Sequence, residues 1–278
     1  MKVDFLQPEK FYSLTWIFIL LVVFLFYFPV TYRRKLRHKS SELEELINKR
    51  TDFVANVSHE LKTPLTSIRG YTETLRAGAY RDLEKAASFL EKIEDNVQRL
   101  DALIHDILDL SRLEATDNFL HFEDIDMDRL FYHFKEQFQF RLEAKKQILS
   151  IDSSVKILRA DKNLVEQAVS NLIGNANRYC PESSKIQIKC ASVNLDQKDW
   201  IRIDVIDNGP GIAEMDLTRI FERFYRADKS RNRALGGTGL GLAIVKHIML
   251  SHKGRALASN NADRGMRFSL IFPAHPGR

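Results

Sequence analysis

Cysteine is nearly absent. Cys180 and Cys190 are the only two in 278 residues. They form no CxxC pair and have no metal-ligand spacing with histidine, so reduced thiols in a cytosolic compartment are expected. The chain also has no internal repeat and no low-complexity tract. A Walker A loop is missing, because no Lys-Ser/Thr pair follows the glycines of LGGTGLGLAIVKHI, residues 235–248. A dinucleotide fingerprint is missing too, since the preceding FYRADKSRNRA is polar and does not read as a strand.

A basic footprint for nucleic acid is likewise lacking. The net charge is +5, but Arg33, Arg34, Lys35, Arg37 and Lys39 all sit in TYRRKLRHKS. Of the 42 basic residues those five supply the excess, and the rest balance the 37 acidic ones.

What is present begins with an uncharged run, LTWIFILLVVFLFYFPV, at residues 14–30. With its flanks, residues 11–32 rise about 33 Å as a helix, enough for a bilayer core of about 30 Å. Trp16, Tyr27 and Tyr32 lie toward its ends, where aromatic belts sit. A cleaved signal peptide is the alternative, but the run is long and no small-residue cleavage site follows. The basic cluster should face the cytoplasm, leaving residues 1–10 outside, too few for a folded ligand-binding domain.

Residues 33–50 read as a basic juxtamembrane and coiled-coil linker. From there Leu43, Leu46, Ile47, Phe53, Val54 and Val57 recur at helical steps, and the pattern runs on through Leu61, Leu65, Ile68 and Leu75. Gly78 and AYRD break it. A second helix is predicted over about 82–113, with Leu83, Leu90, Val97, Ile104 and Leu110 in its stripe. Two such helices make an αα-hairpin, which buries its stripes well only beside a second copy. A homodimeric four-helix bundle is therefore expected; a hairpin packed on its own chain is the alternative.

Beyond residue 119 the texture becomes α+β. Helices are predicted over 126–145, 162–179, 215–224 and 239–251, and strands over 185–193, 200–207 and 266–272. The expectation is a sheet with helices on one face.

Five segments carry chemistry. The strand WIRIDVID runs into Asp207-Asn208-Gly209-Pro210-Gly211, which puts a carboxylate at a pocket edge, although a simple turn explains DNGPG about as often. Glycines 236, 237, 239 and 241 open a helix, and free N–H groups there suit phosphates. The segment 221–236 before them carries Arg223, Arg226, Lys229, Arg231 and Arg233, a cationic lid or a solvated loop. In QAVSNLIGNANRYC, Asn171 and Asn175 share a helix face with Arg178 following; two amides and a cation can hold a hydrated Mg²⁺ and its phosphates. Asn is a poor helix-interior residue, so the pair asks for a reason.

The fifth is VANVSHELKTPLTSIRG, residues 54–70. His59 stands beside Glu60 and four residues before Thr63-Pro64. A histidine with its ordinary pKa near 6.5 is mostly neutral at pH 7 and nucleophilic, and an adjacent carboxylate can take its proton. Pro64 lacks an N–H and should bend the helix. The remaining histidines, 38, 105, 121, 133, 247, 252 and 275, have no such context.

In the order HELKTP, NLIGNANRY, DNGPG, FERFYR, GGTGLGL, the chain resembles the sensor histidine kinases of two-component systems. The resemblance spans about residues 45–273, and DFVANVSHELKTPLTSIRGYTETL is most similar to the phosphate-regulon subgroup. It implies a dimerisation and phosphotransfer hairpin (51–116), an ATP-binding domain of the type shared with type II topoisomerases and heat-shock chaperones (119–274), and a short tail (275–278). By motif it implies His59 as phosphoacceptor, Glu60 as its base, and Thr63 as an aid to hydrolysis of the regulator's phospho-aspartate. Asn175 would hold Mg²⁺ with Asn171 supporting; Arg178 and Tyr179 would contact phosphate and nucleotide; Asp207 would accept from the adenine amino group beside Gly209 and Gly211. Arg226 would reach the γ-phosphate, and Gly237, Thr238, Gly239, Leu240 and Gly241 would line the phosphates. The implied partner is a separate response regulator, because no room for a receiver domain follows Pro273. The implied location is a bacterial inner membrane, single-pass, with the catalytic part cytoplasmic. Two other readings stay open on sequence: an ATPase of the same nucleotide fold that drives a clamp, and a non-catalytic dimeric scaffold.

Overall fold

The computed structural model describes residues 41, 43–44, 47–48, 50–114, 120–227 and 237–274. The expected membrane-spanning run 11–32, the basic cluster 33–39 and the lid cations Lys229, Arg231 and Arg233 lie outside the described residues. Among the described residues no helix is long and apolar enough to cross a membrane. The chain divides into two compact units, Met1–His59 and Glu60–Arg278.

Residues 50–76 are helical (α1), so His59, Glu60 and Thr63 all stand on helical backbone. In the first unit the Ser58 hydroxyl donates to the Val54 carbonyl at 2.9 Å, and His59 is exposed. In the second unit the helix continues through Pro64, which is buried. Gly78, at φ 123°, ends it, and one 3-10 turn, Ala79–Arg81, leads to α2, Leu83–Glu114. Asp82 starts α2 by accepting from the Lys85 N–H at 3.2 Å. The hairpin closes by side-chain contact: the Tyr71 and Phe89 rings stack at 5.6 Å, and Lys92 covers both.

The rest is a helix-on-sheet sandwich. The elements are β1 (Phe122–Asp126), α3 (Met127–Ala144), β2 (Ile148–Ser153), β3 (Ile157–Asp161), α4 (Lys162–Tyr179), β4 (Lys185–Leu195), β5 (Lys198–Asp207), α5 (Gly241–Ser251), β6 (Arg255–Asn260) and β7 (Met266–Pro273). The main sheet has the order β2-β4-β5-β7-β6, and β1 pairs with β3 separately. β2 runs parallel to β4; the other pairs are antiparallel. Register sets Ile188 opposite Val205 and Val205 opposite Phe268. Alternate residues therefore form one apolar face, which α3, α4 and α5 cover. Phe134, Ile173, Ile188, Ile203 and Ile244 are fully buried between these layers.

Two aspartates fix the helix entries. Asp126 accepts from the N–H groups of Asp128 and Arg129 at the start of α3, and Asp161 accepts from Leu164 N–H at the start of α4. Asp161 is itself tied to the far end of α5, because its N–H donates to Nε2 of buried His252 at 3.1 Å. The other nitrogen of that ring, Nδ1, lies 2.8 Å from the Ile248 carbonyl, so the neutral Nδ1–H tautomer satisfies both partners. Phe122 and Phe272 meet the ring edge-on. Burial holds the His252 imidazole below its ordinary pKa.

The structure differs from expectation in three places. β1, β2, β3 and β6 are additional strands. The helix expected over 215–224 is a single 3-10 turn, Glu214–Asp216, followed by turns. The helix expected from 239 begins at Gly241. The last two share a cause: Phe224, at φ 61°, gives its N–H to the Gly239 carbonyl at 2.9 Å, so both segments satisfy each other instead of extending helices.

Candidate active site

β5, the central strand, carries Asp207 at its C-terminal end, where it is buried. Its Oδ1 accepts from the N–H groups of Gly209, at 2.8 Å, and Met266, at 3.2 Å. A second carboxylate oxygen remains as an acceptor. Cys180, the residue after Tyr179, packs beneath this loop: a Cβ added at Gly209 would stand 2.8 Å from its Sγ. Burial and the adjacent Asp207 charge push the Cys180 thiol up to about 12, so it stays protonated and inert. Cys190 is buried and free as well.

The glycine-rich turn lies between two guanidinium groups. A Cβ at Gly237 would stand 2.9 Å from Nη1 of Arg178 and 3.2 Å from the Tyr179 hydroxyl. A Cβ at Gly239, where φ is 77°, would stand 3.0 Å from the Phe224 Cα and 3.4 Å from Nε of Arg226. Only glycine leaves the turn both its backbone angle and its close approach to these side chains. Leu240 is buried beneath the turn, and α5 starts at Gly241, whose carbonyl accepts from the Asn171 amide at 3.4 Å. Asn175 follows one turn later on α4 and is half-buried. The backbone donors of a helix start, two cations and two amides form a donor set that suits phosphates and a hard divalent cation. The chemistry of these residues fits Mg-ATP.

The nucleotide side is bound to the hairpin. Arg226 donates to Oε2 of Glu60 at 3.2 Å and to the Gly237 carbonyl. The same Oε2 lies 3.4 Å from Nη2 of Arg99 on α2. Thr238 donates to Asp106 Oδ2 at 2.6 Å, and Gln167 of α4 donates to Asp109 at 2.6 Å. Glu114, at the end of α2, meets Arg223 and, at 3.3 Å, Nε2 of His247. Burial raises the Asp106 carboxyl above its ordinary pKa, and the Thr238 hydrogen bond opposes this.

Thus Arg178, Tyr179, Arg226, Gly237, Thr238, Gly239 and Gly241 share one neighbourhood, with Asn171 at its floor. Asp207, Gly209 and Gly211 form a second cluster, joined to the first through the Tyr179-Cys180 step. Sequence reasoning missed Asp106, Glu114 and Cys180. It also missed the turn between β6 and β7, whose NNADRG text signals only a turn.

Comparison with known proteins now adds to the geometry. The family described as His Kinase A (phospho-acceptor) domain matches residues 49–116. The family described as histidine kinase-, DNA gyrase B-, and HSP90-like ATPase matches residues 160–276. The chain belongs to the sensor histidine kinases of two-component systems.

This histidine kinase is 34% identical over 234 residues to the sensor histidine kinase WalK of Bacillus subtilis, covering 84% of this chain and 38% of that protein. It is 34% identical over 236 residues to a sensor protein kinase WalK of Staphylococcus aureus, covering 85% and 56%. The chain therefore spans about four- to six-tenths of the length of these relatives. They lend the phosphate-regulon subgroup no support. Among solved structures, the Acinetobacter baumannii histidine kinase AdeS aligns with a TM-score of 0.62 at 26% identity, over 78% of this chain and 98% of that one. Full-length ShkA in complex with AMPPNP aligns at 0.59 with 25% identity, over 81% and 47%.

Proposed function

We propose that this histidine kinase transfers the γ-phosphoryl group of Mg-ATP to His59 and passes it to an aspartate of a separate response regulator. The reading includes a homodimer, a membrane anchor at 11–32 that leaves the catalytic part in the cytoplasm of a bacterium, and dephosphorylation of the regulator aided by Thr63.

The observation that carries it is the bond from Arg226 to Glu60. It joins the glycine-rich turn to the residue directly after His59 in the chain. Phosphoryl transfer is mostly positioning and charge neutralisation, and this contact brings a nucleotide-side cation to the acceptor's neighbour. One imidazole nitrogen of His59 attacks the γ-phosphorus; the N–P bond forms as the bond to the β-γ bridging oxygen breaks and ADP leaves. The proton on the other ring nitrogen passes to Glu60. Glu60 is paired with Arg99 and Arg226. A γ-phosphate is the stronger partner for Arg226, so its arrival frees the Glu60 carboxylate for the proton. Mg²⁺, when bound, neutralises charge on the phosphates, and Asn175 with Asn171 would hold it. Asp207 would accept from the adenine 6-amino group.

Dimerisation draws support from α2. Leu83, Leu90, Val97 and Ile104 recur every seven residues and are 84%, 58%, 50% and 48% exposed. A heptad stripe of that kind is the seam of a helical bundle. The AMPPNP bound by ShkA supports an adenine nucleotide as the ligand.

The test is incubation with γ-labelled ATP and Mg²⁺. Label should enter the protein and be absent from the His59→Gln variant. Equal labelling of both would end the proposal, and failure to bind Mg-ATP at all would favour a scaffold.

A further inference from the structure

The loop that carries Asp207 is held at three points by the turn between β6 and β7. At its start, the Asn261 side-chain amide donates to the Asp207 carbonyl at 2.8 Å and to the Met266 carbonyl at 3.1 Å. In the middle, Arg264 Nε donates to the Gly209 carbonyl at 3.1 Å. At the end, Asn260 makes a two-way amide pair with the backbone of Ile212, accepting its N–H at 3.1 Å and donating to its carbonyl at 2.8 Å. The turn closes on itself through Asn261 N–H to the Gly265 carbonyl at 2.8 Å. Gly265, at φ 95°, has no room for a side chain, because a Cβ would strike the Asp207 carbonyl and come 2.7 Å from the Asn208 Cα. The same turn supplies the Met266 N–H that holds Asp207 Oδ1.

We propose that this turn is a clamp on the adenine-recognition loop, and that Asn261 is a positioning residue that aims the Asp207 carboxylate at the purine 6-amino group. The inference rests on the reading of Asp207 as the adenine acceptor. Its physical basis is that a hydrogen bond to a charged acceptor is steep in angle and distance. With Met266 N–H and Asn261 fixing the carboxylate and its own backbone, Oδ2 meets the amino group without reorganisation. Releasing Asn261 frees the Asp207 backbone carbonyl, so the carboxylate keeps only the Gly209 and Met266 N–H groups on Oδ1 and loses its fixed base.

The experiment compares two nucleotides on the full chain: Mg-ATP and Mg-purine riboside triphosphate, which lacks the 6-amino group. Their dissociation constants are measured for the parent, Asp207→Asn, Asn261→Ala and Arg264→Ala. For Asn261→Ala the preference for ATP should fall about tenfold, the worth of one charge-assisted hydrogen bond, while purine riboside triphosphate binds as before. Arg264 is exposed, so its variant folds even where the Asn261 variant does not; its preference should fall about threefold, the smaller share of a bond that water can replace. Equal weakening toward both nucleotides, or an unchanged preference alongside a collapsed preference in Asp207→Asn, overturns the clamp and leaves the reading of Asp207 standing. An unchanged preference in Asp207→Asn overturns that reading, and the clamp with it.

Discussion

Arg226→Ala gives the sharpest test of how charge is handled at this site. The Arg226 and Glu60 side chains are only 12% and 22% exposed, with nitrogen and oxygen 3.2 Å apart. In the resting arrangement the substitution therefore removes one charge-assisted bond, about 1.5–3 kcal/mol. In the transition state it removes a cation from the transferring phosphoryl, a loss of about 3–4 kcal/mol, or about 100- to 1,000-fold in rate. A freed Glu60 is a better base, which works the other way, but phosphoryl transfer depends on charge neutralisation more than on proton removal. The rate loss should win. Initial rates of label incorporation at saturating Mg-ATP, beside dissociation constants from titration, separate the effects: the rate should fall at least about 100-fold and affinity less than about tenfold. Arg226→Lys should recover only part of the rate, since an ammonium restores charge without the planar fork. A rate restored by raising ATP would refute the reasoning, because Arg226 would then serve ground-state binding alone.

Gly237→Ala places a methyl against Nη1 of Arg178 and the Tyr179 hydroxyl; both are side-chain ends that can move, so ATP affinity should fall about tenfold with thermal unfolding nearly unchanged. His252 should make stability pH-dependent. Its folded pKa is lowered by burial, so its contribution is complete above the ordinary histidine value and is lost as pH falls through the folded one. Urea unfolding at pH 7 and pH 5 should show that loss. His252→Phe should flatten the slope while costing about 1–3 kcal/mol at pH 7 for the orphaned Asp161 N–H. Val97→Glu with Ile104→Glu should convert a dimer to a monomer in light scattering, because a carboxylate cannot be buried unpaired in a bundle seam.

The sequence was most legible where one physical signal dominated. α4 was read at its observed bounds, and the structure shows Asp161 capping it there. β4, β5 and β7 showed plain alternation. The acidic FEDID of β1 and the small, polar RALASN of the edge strand β6 did not, since edge and two-stranded ladders bury little. FERF carries a helical pattern, yet its Phe224 N–H is taken by Gly239, a tertiary bond that no local rule foresees. The site followed the same division. Asp207, the glycines and the Asn171–Asn175 pair sit in recognisable text. Asp106 is one of several acids in IHDILDLSRLE, and only the fold brings it to Thr238. The clamp at Asn261 was hidden likewise, since the Asp207 carbonyl it grips lies 54 positions away.

The central claim is covalent chemistry at one imidazole, and tandem mass spectrometry at alkaline pH tests it most directly. Protein incubated with Mg-ATP should carry one phosphoryl group on the peptide around residue 59, localised to His59 and lost on brief acid treatment. A phosphoryl group that survives acid and maps to serine or threonine, or an unmodified His59 in protein that consumes ATP, would contradict the account.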